Sequence, residues 1–174
     1  SKEFSDLFLA DGGVIYFGND QEITLTHVAD DGLVIKHVGT GDGKEPSLTF
    51  QAGDTDIAVN DVLGSIFFQA PNEGAGTDAI LVAAGIEAVS EGDFSSSNNA
   101  TKLSFKTAAS EAASEKMSLS SAGNLSIAGN LIMGSATVTE AQAEILDGAT
   151  ITTTELNLID GDTARGTTAV ATGD

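Results

Sequence analysis

Glu22-Ile-Thr-Leu-Thr-His-Val28 alternates apolar and polar side chains from Glu22 to Thr26 and continues into His27-Val28. In an extended chain Ile23, Leu25 and His27 fall on one face and the threonines on the other, the period-two pattern of a strand. The same reading extends in both directions. Gly12-Gly13 marks a turn and residues 14–17 begin a strand. Asp30-Asp31-Gly32 is a turn signal, followed by a strand over residues 33–38 and a flexible turn at Gly39-Thr-Gly-Asp-Gly43. Residues 47–51 place Leu48 and Phe50 on one face, and residues 56–60 do the same with Ile57 and Val59. Short strands with regular turn chemistry predict an all-β arrangement.

Further along, residues 63–70 read as a strand with Ile66 and Phe68 on its apolar face, broken by Pro71. Residues 78–89 are mostly apolar and Ala-rich, and fit a buried strand pair or a short helix; Gly85 favours strands. A polar loop over residues 91–100 precedes further alternation: Leu103 with Phe105, Met117 with Leu119, and Leu125 with Ile127 after the turn at Gly123-Asn124. Gly129-Asn130 repeats that turn before Leu131-Ile-Met133.

The pattern then changes. Residues 138–150 (VTEAQAEILDGAT) and 151–163 (ITTTELNLIDGDT) are tandem 13-residue units. Thr139 matches Thr152, the pair Ile145-Leu146 matches Leu158-Ile159, and Asp147-Gly148 matches Asp160-Gly161. Thr152-x-x-Glu155 has the form of a capping box, and the glycine would stop the helix in a left-handed conformation. Each unit is therefore predicted to be a helix of about two turns followed by a tight turn, too short to stand alone in water. The expected organisation is a docking or capping segment (1–10, with Phe4, Leu7 and Phe8), an N-terminal β module (11–62), a central β module (63–134), the tandem repeats (135–163) and a flexible tail (164–174).

Composition narrows the function. The 174 residues are 41% hydrophobic but only 5% aromatic, with 20 Gly, 2 Pro and no Trp. That is too apolar for a disordered chain, yet thin in the large side chains of a self-contained core. Slender elements of this kind often need neighbours or partner chains to bury one face. With 26 acidic and 7 basic residues the formal net charge is −19. This excludes nucleic acid and an anionic membrane surface as natural partners, since both need clustered Lys and Arg. There is no Cys, hence no disulfide framework or thiol nucleophile. No apolar run reaches the length of a membrane span, and no signal peptide is visible. The start at Ser1 without Met suggests processing or a piece of a longer protein.

Chemistry-bearing residues are sparse. His27, on the apolar face of its strand, is the one candidate metal ligand; three copies could meet near an axis and hold an ion, but a lone histidine lacks ligand spacing. His37 adds no His-x-His pair. The acidic clusters Asp30-Asp31, Asp54-x-Asp56 and Asp160-x-Asp162 lack the EF-hand loop pattern, and turn chemistry accounts for the Asp-Gly pairs. Gly39-x-Gly-x-Gly43 lacks the Gly-Lys-Ser/Thr ending of a phosphate loop. With two His and no Cys a nucleophilic triad is hard to build, and sugar cleavage lacks aromatic platforms, Tyr16 being the single Tyr. No catalytic residue and no cofactor is expected.

Several ordered motifs resemble phage tail-fibre and fibre-like virion proteins. They are Gly64-Ser-Ile-Phe-Phe, Lys102-Leu-Ser-Phe-Lys-Thr107, Glu115-Lys-Met117 and Gly123-Asn-Leu-Ser-Ile127. The Thr-Glu-Leu-Asn-Leu-Ile-Asp-Gly units resemble repeats in marine phage fibres, cyanophage types especially, and Gly12-Gly-Val-Ile-Tyr-Phe-Gly-x-Asp20 and Leu25-Thr-His-Val28 are similar to the same group. The resemblance implies a mainly β, elongated, intertwined homotrimer located in the virion and extracellular when mature. Its partners would be copies of itself, other virion or tail proteins and, in an adhesin reading, a host surface receptor. The side chains expected to pack the trimer are Ile23, Leu25, Ile66, Phe68, Leu103, Phe105, Met117, Leu119, Leu125, Ile127, Ile145, Leu146, Leu158 and Ile159. No receptor-binding tip or self-cleaving chaperone domain is recognisable. The expected function is therefore a trimeric shaft or connector, with a receptor-binding adhesin module and a polysaccharide-degrading spike as the alternatives.

Overall fold

A computed structural model describes residues 6–71, 74 and 76–147 of the chain. It is mainly β, with three antiparallel sheets, and divides into two compact units, Ser1–Gln51 and Ala52–Asp174.

The first unit is a meander of β1 (Val14–Phe17), β2 (Ile23–Val28) and β3 (Gly32–His37). The β2–β3 turn is closed by a hydrogen bond from the Asp31 N–H to the Val28 carbonyl, with Asp30 in the left-handed region at φ 59°. Asp tolerates that conformation better than most residues, so Asp30 takes the strained position and Gly32 opens the next strand.

The second unit is built on a five-stranded sheet in sequential order: β4 (Val62–Gln69), β5 (Val82–Ser90), β6 (Thr101–Thr107), β7 (Ser114–Leu119) and β8 (Leu125–Ile127). A small hairpin of β9 (Leu131–Met133) and β10 (Ala136–Val138) follows, turning through Gly134 at φ 62°. The chain then enters α1 (Glu140–Leu146). Thr139 caps this helix in a full capping box: its hydroxyl accepts the Gln142 N–H at 3.3 Å, and the Gln142 side chain accepts the Thr139 N–H at 2.9 Å. The helix expected in the first 13-residue unit is thus present. The second unit, with Leu158 and Ile159, lies outside the described residues, as do Gly148, Gly161 and residues 1–5 and 164–174.

Three expectations are corrected. Residues 47–51 form no strand; Leu48 and Phe50 alternate, but no neighbouring strand completes a ladder there. Residues 56–60 also form no strand, because carboxylates take their amides. Asp56 N–H donates to Asp54, Ala58 N–H to Asp61 and Val59 N–H to Asp93, while Asn60 turns at φ 71°. That loop is pinned to the end of β5 by bonds from Ser90 N–H to the Asp61 carbonyl and from Asn60 N–H to the Ser90 carbonyl. Residues 78–89 are strand, as Gly85 favours, but not a strand pair: one turn of 3-10 helix at Asp78–Ile80 leads into the single long strand β5.

Hardly any apolar side chain is enclosed. Among the described residues, Val89 is the one buried hydrophobic, and the other buried side chains are Thr24, Glu87, Ser90, Ser104 and Ser118.

Candidate functional site

Strand register sorts the five-stranded sheet into an uncharged, mostly apolar face and a face that holds the charged side chains together with Phe67, Val62 and Val89. Ile66, Ile86, Phe105, Met117 and Ile127 are successive cross-strand partners, forming one apolar row from edge to edge. Beside it runs Gly64, Ala88, Leu103, Leu119 and Leu125, and on the other flank Phe68, Ala84, Thr107 and Ser114. Eight of the expected packing residues, Ile66, Phe68, Leu103, Phe105, Met117, Leu119, Leu125 and Ile127, therefore share one face. Nothing in the described chain covers them: Ile66 is 45% exposed, Ile86 36% and Leu125 60%.

The opposite face carries the row Ser65, Glu87, Ser104, Ser118 and Ser126. Glu87 is only 6% exposed and Ser104 1%. The Lys106 ammonium pairs with the Glu87 carboxylate, and Lys102 Nζ donates to Glu115 Oε2 at 2.8 Å. Small serines in the centre of the sheet leave room for these long side chains to lie across it, their stems covering backbone while their ends meet. The Lys102 ammonium holds the Glu115 carboxyl below its ordinary value. At the sheet end, the Ser121 hydroxyl and backbone N–H do the same for Glu91, the N–H at 2.8 Å. Gly85 lies under the Phe67 ring; a Cβ there would sit 2.8 Å from Phe67 Cδ1 and 3.1 Å from the Ile66 carbonyl oxygen.

In the first unit, Ile15, Leu25 and Ile35 form one row and Phe17, Ile23 and His37 the next, with His27 opposite Leu33. Ile23, Leu25 and His27 thus share an apolar face, and His37 joins it. His27 Nδ1 is 3.7 Å from Asp11 Oδ1, and His37 Nδ1 accepts the Gly39 N–H at 3.0 Å. Among the described residues, no three His, Cys, Asp or Glu side chains come together as metal ligands. Nor is any described helix long and apolar enough to cross a membrane. On α1, Ile145 is 75% exposed. An open groove lies beside Ile127, Leu131, Val138, Thr139, Glu140 and Ala143.

Ile86 and the Glu87–Lys106 pair were not singled out from sequence. The signal was Lys102-x-Ser104-x-Lys106, three polar residues at period two in an otherwise apolar strand, facing a lone Glu in an apolar run. No protein-family model matches the chain, and no curated protein matches its sequence.

Proposed function

We propose that the chain is a structural, non-enzymatic module that acts as a homotrimer, a shaft or connecting segment of a tail fibre or related virion appendage. The observation that carries the reading is the missing core: one buried hydrophobic residue among those described, beside sheets whose apolar faces stand open. A sheet that is apolar on one face must bury it against another layer. Copies of the same chain supply that layer by closed symmetry, without a second gene product. The elements themselves favour the same solution, since an isolated two-stranded hairpin such as β9–β10 and a seven-residue helix such as α1 are marginal alone. The assignment to a fibre draws on the ordered motifs from Gly64 to Ile127 and the tandem units that follow.

Light scattering on the purified chain tests the assembly: a trimer has a mass of about 53 kDa, three times the 17.6 kDa of one chain. A stable compact monomer would overturn the proposal. Antibody labelling of intact phage particles by electron microscopy tests the fibre assignment; decoration should be confined to tail fibres or appendages, and labelling elsewhere on the particle would refute it.

A further inference from the structure

We infer that the five-stranded sheet meets its own copies through the face bearing Ile66, Ile86, Phe105, Met117 and Ile127, and turns the Ser65–Glu87–Ser104–Ser118–Ser126 face to water. This rests on the trimeric reading and adds which of two faces is used, and by what occupant.

Charge is the first argument. With a net charge of −19, copies of this chain repel one another. The Ile66, Gly64 and Phe68 rows contain no Asp, Glu, Lys or Arg on any of the five strands, so copies can approach there without bringing like charges into contact. The other face holds Glu87, Lys102, Lys106 and Glu115, whose charges are already paired within the chain. Burying that face against a copy would desolvate two ion pairs for no new partner.

Area is the second. Two rows of five residues and one of four, on strands about 4.8 Å apart with rows about 6.6 Å apart, give this face a footprint of roughly 440 Å². That is within the range of about 300–600 Å² for the largest apolar patch of a soluble monomer. A standard interface takes about 800 Å² from each partner, so this face alone supplies the larger part of one. A charged partner would find no counter-charge on it. A self-complementary neutral surface fits a second and third copy.

The absence of Cys makes single cysteines clean reporters. Ile86→Cys and Ser126→Cys lie on opposite faces of the sheet, and both can be labelled with a maleimide in the 174-residue chain while its mass is followed by light scattering. In the native assembly Ile86→Cys should react at least about tenfold more slowly than Ser126→Cys, the two rates converging in urea. Ile86→Lys should lower the mass from trimer to 17.6 kDa, with Ser126→Lys leaving the trimer intact. If Ile86→Lys fails to fold, the labelling rates still decide. Equal labelling in a stable trimer would sink the choice of face while leaving the trimer standing. A monomeric wild-type chain would sink the trimer and this inference with it.

Discussion

Lys106→Met tests whether the polar face of the five-stranded sheet is held together from within. The substitution keeps most of the stem and removes the ammonium that neutralises Glu87. Deleting one partner of a buried ion pair costs about 3–5 kcal/mol, because the remaining charge is left uncompensated, whereas an exposed pair is worth under about 1 kcal/mol. Glu87 is on the buried side of that divide at 6% exposed, but the Lys106 side chain is 25% exposed, so water reaches the site once the ammonium is gone. We expect a loss of about 2–3 kcal/mol. Urea unfolding at one fixed chain concentration is the assay, since assembly would make stability concentration-dependent. The midpoint should fall by roughly 1–2 M with the slope unchanged. Glu87→Gln added to Lys106→Met should recover more than half of the loss, because no buried charge then lacks a partner. A single-variant loss below about 0.5 kcal/mol, or a double variant no better than the single, would refute the buried-pair argument.

Gly85→Ala should destabilise the sheet by about 1–2 kcal/mol in urea unfolding although alanine is intrinsically better in a strand, since the new Cβ would press on the Phe67 ring at 2.8 Å and on the Ile66 carbonyl oxygen at 3.1 Å; adding Phe67→Ala should relieve the larger, ring part of that strain and leave the smaller, backbone part. Thr139→Ala should cost α1 about 1 kcal/mol and speed amide exchange at Gln142 roughly fivefold, with no change in the sheet. Acid should weaken the polar face. Glu115 has a folded pKa below its ordinary 4.5, so its contribution is complete above that value and is lost as pH falls through the lower folded one. The urea midpoints of wild type and Lys102→Met should therefore converge as the pH falls below 4.5, and a constant gap would contradict the pairing.

Much of the strand content was legible because period two is a local property. β2, β4, β6, β7 and β8 all lie where alternation predicts them, and the first 13-residue unit forms its helix behind Thr139. Residues 47–51 and 56–60 show the same alternation and form no strand, since a strand is completed by its neighbour. Asp54, Asp61 and Asp93 compete successfully for the amides of the second segment. The Ala-rich run before Ser90 was ambiguous because its alanines favour helix while its β-branched Val82, Ile86 and Val89 favour strand. Its place between β4 and β6 decides it, and with it the opposite orientations of Ile86 and Glu87.

Which side chains share a face across strands was harder to read, and one irregularity shows why. Glu115 and Met117 are two residues apart, so in a regular strand both would point the same way. The register shift between Phe105 and Lys106 makes Lys116 an extra residue in β7, leaving Met117 opposite Phe105 and Glu115 opposite Lys106. One strand thereby gives an apolar side chain to the open face and a carboxylate to the paired polar face. A bulge of this kind has no composition signature, because any residue can be the extra one. Yet its consequence is specific: without it, either Glu115 would stand among the neutral rows or Met117 among the lysines. The separation of the two chemistries, on which both the internal ion pairs and a charge-free contact surface depend, is thus set as much by one inserted residue as by the alternation on either side of it.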